Sequence, residues 1–374
     1  MKRFIIALLI VVVLSAPLTA NAEDDKEKYN EYLNSYDFSF FEKTLDKDTY
    51  AYLKSLGLSD FDFENIAALS FSDALETVVN IINHASLNPL KGMCSILLFI
   101  VVSALIKGVK GNSDEALCSA FSTATALIIA LLLVSGVGAT ISLSSLSLSV
   151  AGNFVFAFVP VFCALVLASG AGITAFSTNS MLLILAQAIS FAAANVFLPV
   201  INCFLAIGIC SGLRDELHLD RLISTLKSVF TWCVSFISGA FVTVLSVKTT
   251  VASRADILGI RSARFVINSV VPVIGASISE GLLSIQSYSS LIKSSVGIVG
   301  ICAVCLVFLP AVIEVVLWRM ALSMCLIVSD VFCDRSVTLV LTAFRDTMLM
   351  INVVLVLSAV TTVISIGILI VAGG

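Results

Sequence analysis

The chain has 374 residues, of which 59% are hydrophobic and only 12% are charged. Charged residues make up about a quarter of an ordinary soluble domain, so this composition indicates a polytopic membrane protein. The net charge is −4, with an acidic region near the start of the chain and most arginines in later loops, and it argues against nucleic-acid binding.

The first 22 residues have the pattern of a secretory signal peptide. A basic start at residues 1–3 precedes an apolar stretch at 4–14 and the small-residue site Ala20-Asn21-Ala22. We therefore predict cleavage after Ala22, with an uncleaved membrane anchor as the alternative. Residues 23–90 mix charge with aromatic side chains, which predicts a small extracytoplasmic helical segment that caps the membrane domain or contacts a partner.

Residues 91–374 are predicted to form a helical membrane domain. About 20 apolar residues cross a bilayer as a helix, so 181–212 is too long for one crossing and 320–331 is short. We predict an all-α fold, a polytopic bundle of seven or eight transmembrane segments with broken or re-entrant helices. The serine- and leucine-rich residues 142–150 are expected to form an outer loop or a helix start. The candidate spans are 93–106, 116–137, 151–168, 181–212, 229–247, 296–317, 320–331 and 349–371.

Basic residues near the ends of spans predict the orientation. Lysines and arginines are enriched in short cytoplasmic loops. We therefore expect Lys107 and Lys110, after the first span, to be cytoplasmic, and we expect the same of Lys248 and the basic segment that follows it.

Residues 248–293 form an amphipathic segment between apolar stretches. Arg254, Arg261, Arg264 and Asn268 recur at helical spacing and give one basic face, with Phe265 among the apolar residues of the other side. This half is expected to lie along the membrane surface or against a protein neighbour.

The second half of the segment interrupts that pattern. Pro272 and Gly275 lie in an apolar stretch that is too short to span before Glu280. We predict a broken or re-entrant helix here, with gating or partner contact as its role. The alternative is a surface helix followed by an ordinary loop.

Prolines inside the apolar stretches suggest an internal repeat. Pro160 and Pro199 are separated almost as far as Pro272 and Pro310, and the two pairs stand in similar sequence settings. Interrupted hydrophobic segments at matching positions are typical of duplicated transporter halves. Chance spacing of four prolines remains the alternative.

Three ionisable residues lie within or beside the later apolar stretches. Glu314, Arg319 and Asp330 occupy positions where a charge is costly unless it is paired or hydrated. A structural ion pair of Glu314 with Arg319 near the membrane interface is the expected arrangement. No nucleophile, acid–base pair or metal set converges in the sequence, so we expect neither enzymatic activity nor a cofactor.

The stretch VKTTVASRADILGIRSARFVINSVVPVIGASISEGLLSI at 247–285 resembles the stage III sporulation protein AE family. The resemblance extends over essentially the whole chain, including the signal peptide, the N-terminal segment and the apolar stretches. It assigns no catalytic residue. The positions that match the family's motif are Arg261, Arg264, Phe265, Pro272, Val273 and Gly275.

The resemblance implies a place in an assembly of the mother-cell membrane around the forespore. That family is thought to form a channel or feeding apparatus with the other stage III sporulation A-complex membrane proteins, including a cytoplasmic ATPase, and to join a forespore partner indirectly across the intermembrane space. On this basis we expect a multi-pass membrane core component of that complex, in contact with lipid. A self-sufficient secondary transporter and a non-conducting scaffold are the alternatives.

Overall fold

The computed structural model describes residues 71–110, 115–168, 184–213, 219–270, 275–332 and 335–371. Side chains are described for most of this, chiefly 85–106, 120–156, 184–213, 219–246, 300–332 and 335–368. The signal-peptide prediction and most of the predicted segment 23–90 therefore lie outside the described residues.

Long helices account for nearly all of the described chain, and no strand occurs in these ranges, which confirms the all-α prediction. A π-helical turn at Ala193–Phe197 lies within the third helix. The helices are α1 Phe71–Lys110, α2 Glu115–Ala168, α3 Ile184–Leu213, α4 Asp220–Val270, α5 Gly275–Val331 and α6 Arg335–Val371.

Each helix contains a stretch that is long and apolar enough to cross a membrane. The longest, α2 with 54 residues and α5 with 57 residues, reach about 80 Å at about 1.5 Å per residue, far more than the roughly 30 Å of a hydrocarbon core. The six stretches are Ala85–Ile106, Ala120–Phe156, Ile184–Leu213, Asp220–Ser246, Gly300–Val331 and Arg335–Ile368.

The predicted division into seven or eight spans differs from this arrangement. The candidate spans 116–137 and 151–168 lie on the single helix α2, and 296–317 and 320–331 lie on the single helix α5. Residues 142–150 are therefore helical and do not form a loop. The Ser144 hydroxyl donates to the carbonyl oxygen of Thr140 at 2.7 Å and is thus satisfied within the helix, whereas Ser147 Oγ is buried without a partner among the described residues.

The prolines also fail to end their helices. Pro310 lies inside α5, and Pro199 lies in α3 directly after the π-helical turn. A π-turn shifts the hydrogen-bond pattern by one residue, which helps a helix to accommodate the missing amide of a proline. Of the two forms left open for 181–212, one long helix or a broken pair, the structure has one helix from Ile184.

The bundle is organised around the antiparallel pair α5 and α6, which share the most extensive contact in the described bundle. Their register follows from a hydrogen bond of 2.9 Å between the hydroxyls of Ser329 and Thr338, near the turn that joins them. Helices α1 and α2 pack on α5, and α3 packs on α6.

Glycines allow one of these helix pairs, α3 and α6, to approach closely. A Cβ atom on Gly208 of α3 would lie 2.4 Å from the Cβ of Ala343, and one on Gly212 would lie 2.5 Å from Cγ2 of Val340. The spacing of these glycines is that of the GxxxG motif, which brings membrane helices into backbone contact. The α3–α6 packing therefore depends on the absence of side chains at both positions.

The last residues of α1, α3 and α5 and the first residues of α2, α4 and α6 lie at one end of the bundle. The end of α1 at Lys110 lies at that end, whereas α4 runs from Asp220 towards the opposite end before it reaches Lys248. The side of the membrane on which each lysine lies stays a prediction.

Candidate functional site

A carboxyl group is buried at the centre of the helix bundle. Glu314 on α5 is 8% exposed, and its Oε1 accepts a hydrogen bond of 2.7 Å from the hydroxyl of Thr140 on α2, which is fully buried. Both residues lie close to the middle of the apolar stretches of their helices, Gly300–Val331 and Ala120–Phe156. An ionisable group at such a depth is costly and marks a candidate functional site in a membrane protein.

Close packing of α2 against α5 holds this contact in place. Trp318, one turn after Glu314, is 2% exposed, and a Cβ atom on Gly136 would lie 2.8 Å from its ring. A Cβ on Gly92 of α1 would lie 2.5 Å from the same ring. The indole thus fills a slot between two glycines and fixes the register in which Thr140 meets Glu314.

Asn352 of α6 lies at the same depth as Glu314. Counting equally along the antiparallel helices from the Ser329–Thr338 pair, the residue level with Glu314 is the one directly after Asn352. The Oδ1 atom of Asn352 is buried and finds no hydrogen-bond donor among the described residues. We call Glu314, Thr140 and Asn352 the mid-span polar site.

The predicted ion pair of Glu314 with Arg319 is not formed in the described structure. Five residues along an α-helix correspond to about 140° around its axis, so the two side chains leave α5 in different directions. Glu314 has its polar contact on another helix instead. Asp330, the third predicted residue, lies at the end of α5, where its Oδ1 accepts a hydrogen bond of 3.3 Å from Thr338.

A second charged site lies between α3, α4 and α6 and was missed by sequence reasoning. Lys227 Nζ lies 2.7 Å from Oδ2 of Asp346, and Arg345 Nη2 lies 3.4 Å from Oδ1 of the same carboxylate. The three side chains belong to two helices, α4 and α6, that are far apart in sequence. The only sequence feature that hints at the contact is a pair of opposite charges at comparable distances from the starts of their helices. The pair borders a pocket of about 240 Å³ that is also lined by Ser211, Asp220, Ser224 and Thr342.

The residues predicted from the amphipathic segment lie on the far extensions of two helices. Helix α4 continues through the basic positions to Val270, and α5 begins at Gly275. Pro272 lies outside the described residues, and the other side chains of the segment are also outside them, so their contacts stay predictions. The residues concerned are Arg254, Arg261, Arg264, Phe265, Asn268, Gly275 and Glu280.

Metal-ligating side chains do not converge in the described ranges, where no three His, Cys, Asp or Glu residues come close enough to hold an ion.

Helix lengths, apolar surfaces and buried polar contacts together define a multi-pass helical membrane protein. The family model described as Stage III sporulation protein AE matches residues 58–373, and the chain belongs to this family. The resemblance seen in the sequence is thereby confirmed, and with it an involvement in sporulation.

A curated relative agrees with the family match. The protein named Stage III sporulation protein AE from Bacillus subtilis (strain 168) is 25% identical over 161 residues, which cover 43% of this chain and 40% of the relative. The chain therefore spans about two fifths of the length of the relative it matches. No solved structure matches the chain.

Proposed function

We propose that the protein is a membrane core component of the mother-cell to forespore channel complex of endospore development. It would lie in the mother-cell membrane and contact the other membrane proteins of the stage III sporulation A complex, including its cytoplasmic ATPase, and indirectly a forespore partner. Membership of the sporulation family supports this proposal.

The observation that carries the assembly role is the uncovered aromatic face of α4. Only 17% of the apolar stretch of α4 is buried within the bundle. Trp232 and Phe236 are 67% and 64% exposed on this helix, and their rings stack with centroids 5.6 Å apart at 14°. They lie near the middle of Asp220–Ser246.

That depth is unusual for an exposed tryptophan. Tryptophan is enriched at the membrane–water interfaces, where its indole N–H finds a partner, whereas the centre of the bilayer offers none. A helix of a neighbouring subunit would cover the ring pair and supply an acceptor for the N–H. This is the contact expected of a subunit that works inside an assembly.

Site-specific photo-crosslinking in sporulating cells tests the proposal. A photoreactive phenylalanine analogue at Trp232 should form adducts with another membrane protein of the complex. Leu131 on α2, which is 64% exposed, is a matched control for exposure, and Phe344, which is fully buried, is a control for background. Protein adducts that are equally frequent at Trp232 and Leu131 would contradict a specific α4 interface.

A self-sufficient secondary transporter is the second candidate, because Glu314 is a buried carboxyl at mid-span. The purified protein, reconstituted alone in vesicles, would then move a solute or ion across the membrane. Transport that requires the other subunits favours the assembly role instead.

A further inference from the structure

We propose that Glu314 is a proton-binding site at the centre of the membrane domain. The carboxylate takes up one proton from water to become a neutral acid and returns it to water when it ionises, so no other reactant is needed. This inference goes beyond the proposed function and does not depend on it, because it concerns the chemistry of one group within this chain.

The first support is that no lysine or arginine among the described residues forms an ion pair with the carboxyl group. Helix α2 has no ionisable side chain between Ala120 and Phe156, and α6 has none between Thr347 and Ile368. In the described part of α1, at 85–106, the ionisable residues are Lys91, which is exposed, and Cys94, and in the part of α4 at 228–246 the only one is Cys233. On α5 itself the neighbours are Cys302, Cys305 and Cys325, which are neutral as thiols, and Arg319, which leaves the helix in another direction.

The second support is the hydrogen-bond inventory of the site. An ionised carboxylate offers about four acceptor positions, whereas the described residues provide one donor, the Thr140 hydroxyl. A neutral acid needs fewer donors and brings a donor of its own. Asn352 Oδ1, an acceptor at the same depth, and Trp318 Nε1, a donor one turn away on α5, each lack a partner among the described residues. With one donor in contact, the carboxyl group is better satisfied as the neutral acid than as the carboxylate.

The third support is the position of the group. Glu314 lies near the middle of a 32-residue apolar stretch, half of which is buried within the bundle. At this depth the charged form is the costly one, and intramembrane carboxyls that exchange protons are the common solution in pumps and transporters. The Thr140 hydroxyl donates to the carbonyl oxygen of the Glu314 carboxyl group and so orients that group. The protonated oxygen of the carboxyl group then faces away from Thr140.

Labelling with dicyclohexylcarbodiimide tests the proposal on the full-length protein in membranes. This apolar reagent adds to a neutral acid: the carboxyl oxygen bonds to the central carbon, the proton moves to nitrogen, and acyl migration gives a stable N-acylurea without a leaving group. Peptide mass spectrometry should find the adduct on Glu314 at neutral pH, with labelling that falls as the pH is raised. Asp330 and Asp346 are matched carboxyl controls and should stay unlabelled.

A second measurement covers the case in which the reagent does not reach the site. Infrared difference spectra of wild type and Glu314→Gln should show a carboxylic C=O band that only the wild type possesses. Absence of both the adduct and the band overturns the proposal.

Sporulation provides the functional readout. Glu314→Gln keeps the shape and the Thr140 contact of the neutral acid but cannot release a proton, so it should be made and assembled normally while the yield of heat-resistant spores is lost. A normal yield would show that proton release is not used. If the photoreactive residue at position 232 forms no adduct with another membrane protein, the proposed function is contradicted. The labelling result for Glu314 does not depend on that outcome.

Discussion

Helices α5 and α4 are both long and apolar, yet the bundle uses them in opposite ways. Half of the apolar stretch of α5 is buried, together with its tryptophan and its glutamate, whereas only 17% of that of α4 is buried and its aromatic pair faces outward. Hydropathy does not predict this difference in burial, since either helix is long and apolar enough to cross a membrane. What separates them is the presence of glycines and small polar residues on the helices that pack against α5.

The comparison also explains where the polar groups lie. In a membrane, polar side chains stabilise a helix interface only when they meet partners away from lipid. Ser190 and Ser358 do so with their hydroxyls 2.6 Å apart, as do Thr140 and Glu314 at 2.7 Å. The exposed face of α4 instead keeps its hydroxyls on its own backbone, as in the bond from Thr231 to the carbonyl oxygen of Lys227. Polar pairing between helices therefore marks the core.

The largest effect on the core is expected from closing the slot that holds Trp318. In Gly136→Ala the new Cβ would lie 2.8 Å from the ring, so the indole or α2 has to move, and we expect a loss of about 1–3 kcal/mol in stability. Gly138→Ala is a matched control on the same helix, since nothing lies within 4 Å of its Cβ position. Denaturation midpoints in detergent measure both, and equal midpoints would show that the slot is not tight.

The Lys227–Asp346 pair tests whether α4 is fastened to the core at one end. Lys227→Ala leaves a carboxylate that is 13% exposed without its ammonium partner, and we expect a loss of about 1–2 kcal/mol, below the value for a fully buried pair because Lys227 is 44% exposed. Lys227→Ala combined with Asp346→Ala should be less harmful than the sum of the single changes. Additive losses would contradict a direct interaction between the two groups.

Composition and apolar length predicted the class of fold, whereas the family was identified from the resemblance of residues 247–285. The predicted division into spans differs from the helices of the structure because it separated crossings at the serines of 142–150 and at the charged residues Glu314 and Arg319. In a membrane helix, the hydroxyl of Ser144 bonds back to the carbonyl of Thr140, and Pro310 is retained inside α5. Local composition therefore does not indicate where a membrane helix ends. Neighbouring helices and the helix's own side chains can satisfy the backbone groups that a proline or serine would otherwise leave unpaired.

The candidate site was predicted only in part. Glu314 stood out as a charge in an apolar stretch, but its partner Thr140 carries no signal, because a threonine 174 positions away is one of many hydroxyls in the chain. The close approach of Gly136 to Trp318 likewise needs the register of two helices. Which residues of different helices meet is decided by tertiary packing. A single sequence made of similar apolar stretches does not specify those contacts.

A smaller effect is expected from removing the hydroxyl of the mid-span polar site. Thr140→Val keeps the shape of the side chain and deletes the donor to Glu314, and we expect a loss of about 1 kcal/mol. Thr140→Ser retains the donor and should recover most of this loss. In a Glu314→Leu background, Thr140→Val should have almost no effect on the denaturation midpoint. An unchanged cost in that background would show that the hydroxyl acts elsewhere.

The smallest effect on stability is expected on the face of α4. Trp232→Ala removes a ring that is 67% exposed and packs mainly on Phe236, so the purified protein should change by no more than about 0.5 kcal/mol. The same substitution should nevertheless reduce co-purification of the other complex subunits from sporulating cells, because we propose that this face contacts a neighbouring subunit. Leu131→Ala on α2 serves as the control with matched exposure. A Trp232→Ala protein that co-purifies its partners as well as the control does would place α4 against lipid, and the contrast between α4 and α5 would then be one between a lipid-facing helix and a buried helix.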